Sequence, residues 1–434
     1  MSLRRTLLID RLRASLFFVP SASVVGGVVL AVAMLWVDDL IAPNAEDLPF
    51  LIASTVDSAR AILGTVATAT ITVAGIAFSV SLLVVQLASS QYSPRVVHNL
   101  FRDPTNKRVM GVVVGTFAYC LVVLQAVRGS VSDNGEDVVP NLSVVVALGL
   151  GVASILAIIA FINPNALAME VSELLQDATD NAIESADSSW PHPDDAGPPL
   201  PEPEIDGDGF VVASNANGWV QDIDIDRLCG IPEPGGAIRL ETGIGRYAIA
   251  GIPLAVVWPP PPDTDAVTAE VRAAIGIGRT RTLAQDPAYG VRQLADVGIR
   301  ALSSGIDDPT TAQDAIFHLT AVLRELHHRV PPARVVAGDQ DRVLVRSEAP
   351  THAELVDLAF DELRRSSATH PAVSVYLLEA MHLLCRASDP SPPDEAREAL
   401  CRQAHLVVSG TRAADLLADD VELVVAAYDS RFGG

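Results

Sequence analysis

Four stretches of this sequence contain no Asp, Glu, Lys, Arg or His: Leu16 to Val37, Ala61 to Ala88, Val109 to Val127 and Leu142 to Ile162. Proton relays in membrane pumps use intramembrane carboxylates or histidines, and voltage sensors use arginine, so neither mechanism is available there. Cysteine is also scarce. Cys120, Cys229, Cys385 and Cys401 are far apart and form no C-x-x-C pair. That excludes a zinc ribbon and a thioredoxin-like site and fits reduced thiols in a cytosolic domain. Lysine is nearly missing: Lys107 is the only one, and arginine supplies the other basic positions, a bias of coding preference rather than of chemistry. Positive charge is short overall, with 30 Lys and Arg against 53 Asp and Glu and a net charge of -23. So acidic a surface repels phosphate, which argues against nucleic-acid partners and favours cations or basic ones.

What is present is apolar. The chain has 434 residues, 49% of them hydrophobic, and a positive mean hydropathy. Residues 1–162 hold ten basic and ten acidic residues, so the whole net charge belongs to residues 163–434. Each uncharged stretch has 19 residues or more, enough at about 1.5 Å per helical residue for the roughly 30 Å hydrocarbon core. All four are expected to span the membrane, over 16–37, 61–88, 109–127 and 142–162. Arg4, Arg5, Arg11 and Arg13 ahead of the first stretch resemble a signal peptide. The run is too long for a signal h-region, however, and three more spans follow, so an anchor is expected. Arginine and lysine alternate between the flanks: four before the first span, Arg60 alone in the next loop, then Arg95, Arg102, Lys107 and Arg108, then Arg128 alone. Cytoplasmic flanks carry the excess. The expected topology is therefore multi-pass in the inner (plasma) membrane, with both termini, including residues 1–15, cytoplasmic. Phe17, Phe18 and Trp36 suit interfacial anchoring.

The second span is overlong, about 42 Å over its 28 residues if helical throughout. Its polar residues are patterned. Thr65, Thr72, Ser79 and Gln86 recur every seven positions, with Thr68, Gly75 and Ser89 interleaved, which puts most of them on one helical stripe; Thr70 and Ser81 lie off it. The stripe either lines a water-filled path between subunits, hydroxyls replacing part of an ion's hydration shell, or serves close helix packing and back-bonding to the i-4 carbonyl. On the first reading Thr65, Thr68, Thr72, Ser79 and Gln86 line the pore, and Ser89, Ser90 and Gln91 form its inner mouth, unless that stretch is only a polar turn ending the helix. Gly111-x-x-x-Gly115 in the third span, and Gly149, Gly151 and Ser154 in the fourth, read as packing residues.

Beyond the spans a cytoplasmic α+β region is expected. Residues 163–187 read as a juxtamembrane helix, 188–209 as a Pro/Asp-rich linker, 210–262 as a small β-domain of about five strands, and 263–434 as an acidic helical domain. The strands are Phe210–Val212, Trp219–Ile223, Ala237–Leu240, Tyr247–Ile249 and Leu254–Val257. Asp308-Pro309 makes an N-cap and first helical position, and Ile316, Leu319, Leu323 and Leu326 mark one buried face. Similar patterns run over Ala353–Leu363, Val373–Leu384 and Ala396–Leu417. Asp222, Asp224, Asp226 and Glu233 match a calcium-loop template, but Arg227 replaces its glycine. The Gly-Ile-Gly-Arg runs at Gly243 and Gly276 lack nucleotide-binding spacing and read as a turn and a helix boundary. His327-His328 is expected on a solvated helix face. No nucleophile with its base, metal cluster or cofactor motif is found, so no enzyme is expected.

Ile71-Thr72-Val73-Ala74-Gly75-Ile76-Ala77-Phe78-Ser79, continuing through Gln86-Leu87-Ala88-Ser89-Ser90-Gln91-Tyr92-Ser93-Pro94-Arg95, resembles the signature of a bacterial family of predicted membrane proteins, domain of unknown function 2254. Gln285-Asp286-Pro287-Ala288-Tyr289-Gly290 with Gln293-Leu294, and Ala301 to Ala312, are similar to that family's cytoplasmic signature; Asp307 stands where asparagine is expected. The resemblance implies the architecture and no activity. Two functions remain open. One is a homo-oligomeric ion channel of weak cation preference with a cytoplasmic regulatory domain. The other is a membrane-anchored sensor or scaffold that binds a protein or small ligand and transports nothing.

Overall fold

The computed structural model describes residues 18–41, 55–91, 104–128, 139–167, 171–205, 207–387 and 392–433. Among the described residues, those up to Ser90 and from Pro104 to Leu167 form one compact unit, and those from Val171 onward form a second.

The first unit is four helices, α1 (Phe18–Ile41), α2 (Val56–Gln91), α3 (Pro104–Ala126) and α4 (Asn141–Leu167). Each contains a window long and apolar enough to cross a membrane: Phe18–Leu40, Val56–Val80, Lys107–Ala126 and Asn141–Ala160. The four agree with the expected spans to within the usual fraying of helix ends, except that α2 runs 36 residues and starts before Arg60. Pro20 and Pro104 sit in first turns, where a missing N–H costs nothing. Polar ties join the helix ends. The Asp38 carboxylate, near the end of α1, accepts from the backbone N–H groups of Leu142 and Ser143 at 2.9 Å each and from the Ser143 hydroxyl at 2.5 Å. An anion thus caps the positive end of α4. Tyr119 donates its hydroxyl to the Ser143 carbonyl at 3.0 Å, and the Arg60 guanidinium donates to the Val127 carbonyl at 3.2 Å.

Small residues set the closest packing. A Cβ on Gly27 would overlap the Gly115 carbonyl, and one on Gly111 would overlap the Ser23 hydroxyl. Gly111-x-x-x-Gly115 is therefore the contact face of α3 against Ser23 and Gly27 of α1, as a small-residue interface requires. In α4, Gly151 faces Val66, and Ser154 donates to Thr116 Oγ1 at 3.1 Å, both buried, whereas Gly149 faces open space.

The second unit opens with α5 (Val171–Ser189), then runs β1 (Phe210–Ala213), β2 (Gly218–Ile223), α6 (Ile225–Cys229), β3 (Ala237–Leu240), β4 (Tyr247–Ala248), β5 (Pro253–Trp258), α7 (Thr264–Ala274), β6 (Ile275–Gly278), α8 (Pro287–Ala301), α9 (Pro309–His327), β7 (Val335–Ala337), β8 (Val343–Arg346), α10 (His352–Ser367), α11 (Pro371–Arg386), α12 (Asp394–Ala413) and α13 (Ala418–Phe432). All five expected strands form, but they do not make one sheet that closes by residue 262. They divide between a mixed five-stranded sheet, ordered β1-β5-β3-β8-β7, and a three-stranded sheet, β4-β2-β6. The parallel β3–β8 pair, Ile238 opposite Leu344, imports a hairpin from beyond α9. The two sheets enclose Leu228 and Cys229 of α6 with Val271 and Ala274 of α7.

The Gly243 run is a turn with Gly245 at φ +74°, a backbone region that glycine enters without cost. The Gly276 run lies in β6, which begins directly where α7 ends, and a Cβ on Gly278 would overlap the Gln221 side chain.

The helices follow their caps. Asp308 accepts from Thr311 N at 3.1 Å and Thr311 Oγ1 at 2.6 Å, and Pro309 begins α9. Ile316, Leu319, Leu323 and Leu326 are fully buried, as their spacing predicts. A Thr351/Glu354 capping box starts α10. Two differences from expectation concern boundaries. The pattern over Ala396–Leu417 is divided, because α12 ends at Ala413 and α13 begins at Ala418. The helix expected over 163–187 is α5, Val171–Ser189, because α4 runs on to Leu167; α5 buries Leu175, Ala182 and Ala186 and packs on α8 and α9.

Candidate functional site

The candidate site is the outer face of α2. Its inner face is built from Ala59, Leu63, Ala67, Thr70, Ala74 and Ala77, spaced by three or four residues and buried against the other helices. Ala59, Leu63 and Ala67 share a cluster with Tyr119, Val123 and Ala147, and Ala74 and Ala77 share one with Val109 and Val113. Thr70, off the stripe in sequence, points inward and donates to the Val66 and Ala67 carbonyls at 2.8 and 3.0 Å. At 100° per residue the stripe of Thr65, Thr68, Thr72, Ser79 and Gln86 lies roughly 150° around the helix from that packed face. All five are exposed from the helix bundle, as is Gly75, where a Cβ would meet nothing. The structure thus brings the five expected pore residues onto one face, and that face is turned away from the chain's own helices.

The hydroxyls on this face have a fixed orientation. Thr65 donates to the Ala61 carbonyl at 2.7 Å, Thr72 to Thr68 at 2.7 Å and Ser79 to Gly75 at 2.9 Å. With its proton committed to the i-4 carbonyl, each of these three hydroxyls presents its lone pairs outward as an acceptor. Ser89, Ser90 and Gln91 continue α2 rather than leaving it as a turn; their side chains, and the flanking Arg4, Arg5, Arg11, Arg13, Arg95 and Arg102, lie outside the described residues.

In the second unit the sequence candidates have structural roles. Asp224 caps α6 by accepting from Arg227 N at 3.0 Å, and Asp222 accepts from Gln285 Nε2 at 2.7 Å. The expectation of a solvated His327 is overturned. His327 is 7% exposed, 5.7 Å from the ring of His352, and burial, then the neighbouring His352 and His328, push its pKa down to about 3. His352 Nε2 donates to the Leu326 and Arg329 carbonyls at 3.1 Å each, its Nδ1 lies 3.3 Å from Glu395, and Trp190 stands edge-on to its ring at 5.2 Å. The buried Arg329 pairs with Asp187 and Glu325 and donates to the Trp190 carbonyl at 3.2 Å. This knot ties the ends of α5 and α9 to the starts of α10 and α12. A tryptophan directly after an amphipathic helix was its only local sign.

A family model described as "Predicted membrane protein (DUF2254)" matches residues 13–383. Uncharacterized proteins of Mycobacterium bovis and Mycobacterium tuberculosis are each 29% identical to the chain over 420 residues, covering 93% of this chain and 78% of the relative. No solved structure matches it.

Proposed function

The chain belongs to the family of predicted membrane proteins described as DUF2254, and from that premise we propose a homo-oligomeric ion channel of the plasma membrane, with both termini and the acidic second unit in the cytoplasm. One observation carries the reading: the polar stripe of α2 faces away from its own bundle, while the bundle interior is filled by Ala59, Leu63, Ala67, Tyr119 and Val123. A path through one subunit has no room, whereas copies of α2 turned toward a shared axis would line one with Thr65, Thr68, Thr72 and Ser79. Outward lone pairs on three of those hydroxyls favour cations, and the net charge of -23, which belongs to the region after the helices, adds to that preference. Selectivity is weak and conduction passive, because no ionisable side chain stands in the apolar stretches.

The same hydrogen bonds also support a second reading, a membrane-anchored sensor or scaffold without transport, since a back-bonded hydroxyl is satisfied without water and tolerates lipid. Cysteine accessibility separates the two. With the native cysteines replaced, Thr65→Cys, Thr72→Cys and Ser79→Cys should react with a membrane-impermeant thiol reagent, and Phe78→Cys, 56% exposed but off the stripe, should not. Protection of all three stripe positions in native membranes would sink the channel reading.

A further inference from the structure

The sequence keeps its four cysteines apart, but the fold does not. Cys385 lies in the last turn of α11 and Cys401 near the middle of α12, each directly after a fully buried leucine, Leu384 and Leu400, of the core these helices share. The two helices pack on each other, and Cys385 and Cys401 are near enough across the seam to interact electrostatically. Cys401 is exposed and Cys385 half-buried, while Cys120 and Cys229 are buried in other parts of the chain. Arg397, one turn before Cys401 on α12, places a cation beside the pair in an otherwise acidic domain. Both cysteines lie beyond residue 383, where the match to the family model ends.

We propose that Cys385 and Cys401 form an oxidant-responsive thiol pair that closes into a disulfide between α11 and α12 when it meets a peroxide. Exposure assigns the roles. The Cys401 thiolate attacks a peroxide oxygen; an S–O bond forms, the O–O bond breaks, and hydroxide leaves and is protonated to water. Sulfur is oxidised to the sulfenic acid and the peroxide is reduced. Cys385 then attacks the Cys401 sulfur; the S–S bond forms, the S–O bond breaks, and the departing hydroxide takes the Cys385 proton as water. Two thiols and one hydrogen peroxide give one disulfide and two waters. Burial, with Cys401 beside it, pushes the Cys385 thiol up to about 12, so it waits as the resolving thiol and does not react first. A dithiol reductant reverses the link, and a reducing compartment keeps the pair open.

The test uses the full chain in detergent micelles. It is exposed to stoichiometric hydrogen peroxide, the remaining thiols are alkylated, and the protein is digested without reductant for mass spectrometry. The expected product is a peptide joining Cys385 to Cys401, lighter by two hydrogens and released by dithiothreitol. Cys385→Ser should yield no intramolecular link and leave Cys401 as sulfenic or sulfinic acid, and Cys401→Ser should leave Cys385 alkylated. Alkylation of both thiols after oxidation, passage of wild-type Cys401 to sulfinic acid without a link, or a link from Cys401 to Cys229 or to a second copy would each overturn the proposal. The variants' unchanged circular dichroism identifies them as folded; should either unfold, the wild-type peptide map decides alone.

Discussion

Removing the proton site at His327 should change how the second unit responds to acid. The pKa of this ring is pushed from 6.5 to about 3, first by burial and then by His352 and His328. In an unfolded chain the same ring titrates normally. Between pH 6.5 and about 3 the unfolded state therefore binds more protons than the folded one, and stability falls as the pH falls. The neutral ring costs nothing above pH 6.5, and the loss grows as the pH drops toward the folded value. At about 1.4 kcal/mol per pH unit, it reaches about 2 kcal/mol at pH 5. His327→Gln keeps a polar side chain but cannot take up the proton. Urea unfolding of the full chain in micelles, followed by tryptophan emission, would report the knot through Trp190, which is 2% exposed. The carboxylates of the knot, Glu395, Glu325 and Asp187, are present in both proteins and cancel in the difference. Wild type should lose about 2 kcal/mol more than the variant between pH 7.5 and pH 5. A difference that does not change with pH would refute the reasoning, as would a His327 ring resonance that titrates near pH 6.

Two further substitutions test the packing and the backbone. Gly115→Val should push α1 from α3 and lower the melting temperature in micelles substantially, by the mechanism of an overpacked contact costing about 1–3 kcal/mol, whereas Gly149→Ala, whose new methyl meets nothing, should be neutral; equal effects would remove the assigned interface. Asp307 has φ +51° and accepts from His370 Nε2 at 3.0 Å, so Asp307→Ala, which adds left-handed strain and loses that bond, should destabilise by about 1–2 kcal/mol while Asp307→Asn stays close to wild type in denaturant melts.

The backbone at Asp307 explains the asparagine expected there: asparagine and aspartate are the side chains that enter the left-handed region most readily. Such local features were legible. Uncharged length gave the four helices, Asp308-Pro309 gave the start of α9, and alternation between turn residues gave five strands. Partnership between strands was not legible, since the pairing of Ile238 with Leu344 spans more than a hundred residues and depends on α7 to α9 folding between them. His327 failed for a related reason. It follows Leu326 at the edge of the apolar stripe, and the ring packed beside it belongs to His352, itself held by Trp190 from the other side in the chain. Cys385 and Cys401 are 16 positions apart, and only the antiparallel return of α12 along α11 brings them together.

Pattern and packing reinforce each other most strongly in α2. Its 36 residues measure about 54 Å as a helix, while the apolar window ends at Val80. Gln86 lies beyond that window, yet it keeps the seven-residue phase of Thr65, Thr72 and Ser79. Tolerance of lipid accounts for the back-bonded hydroxyls but gives Gln86 no reason to stay in register, because beyond the window any face of the helix can be polar. A single outward surface used along the whole helix does give one. On the proposed reading that surface runs from the membrane path into the water beyond it, with Gln86 where a permeating cation regains its hydration.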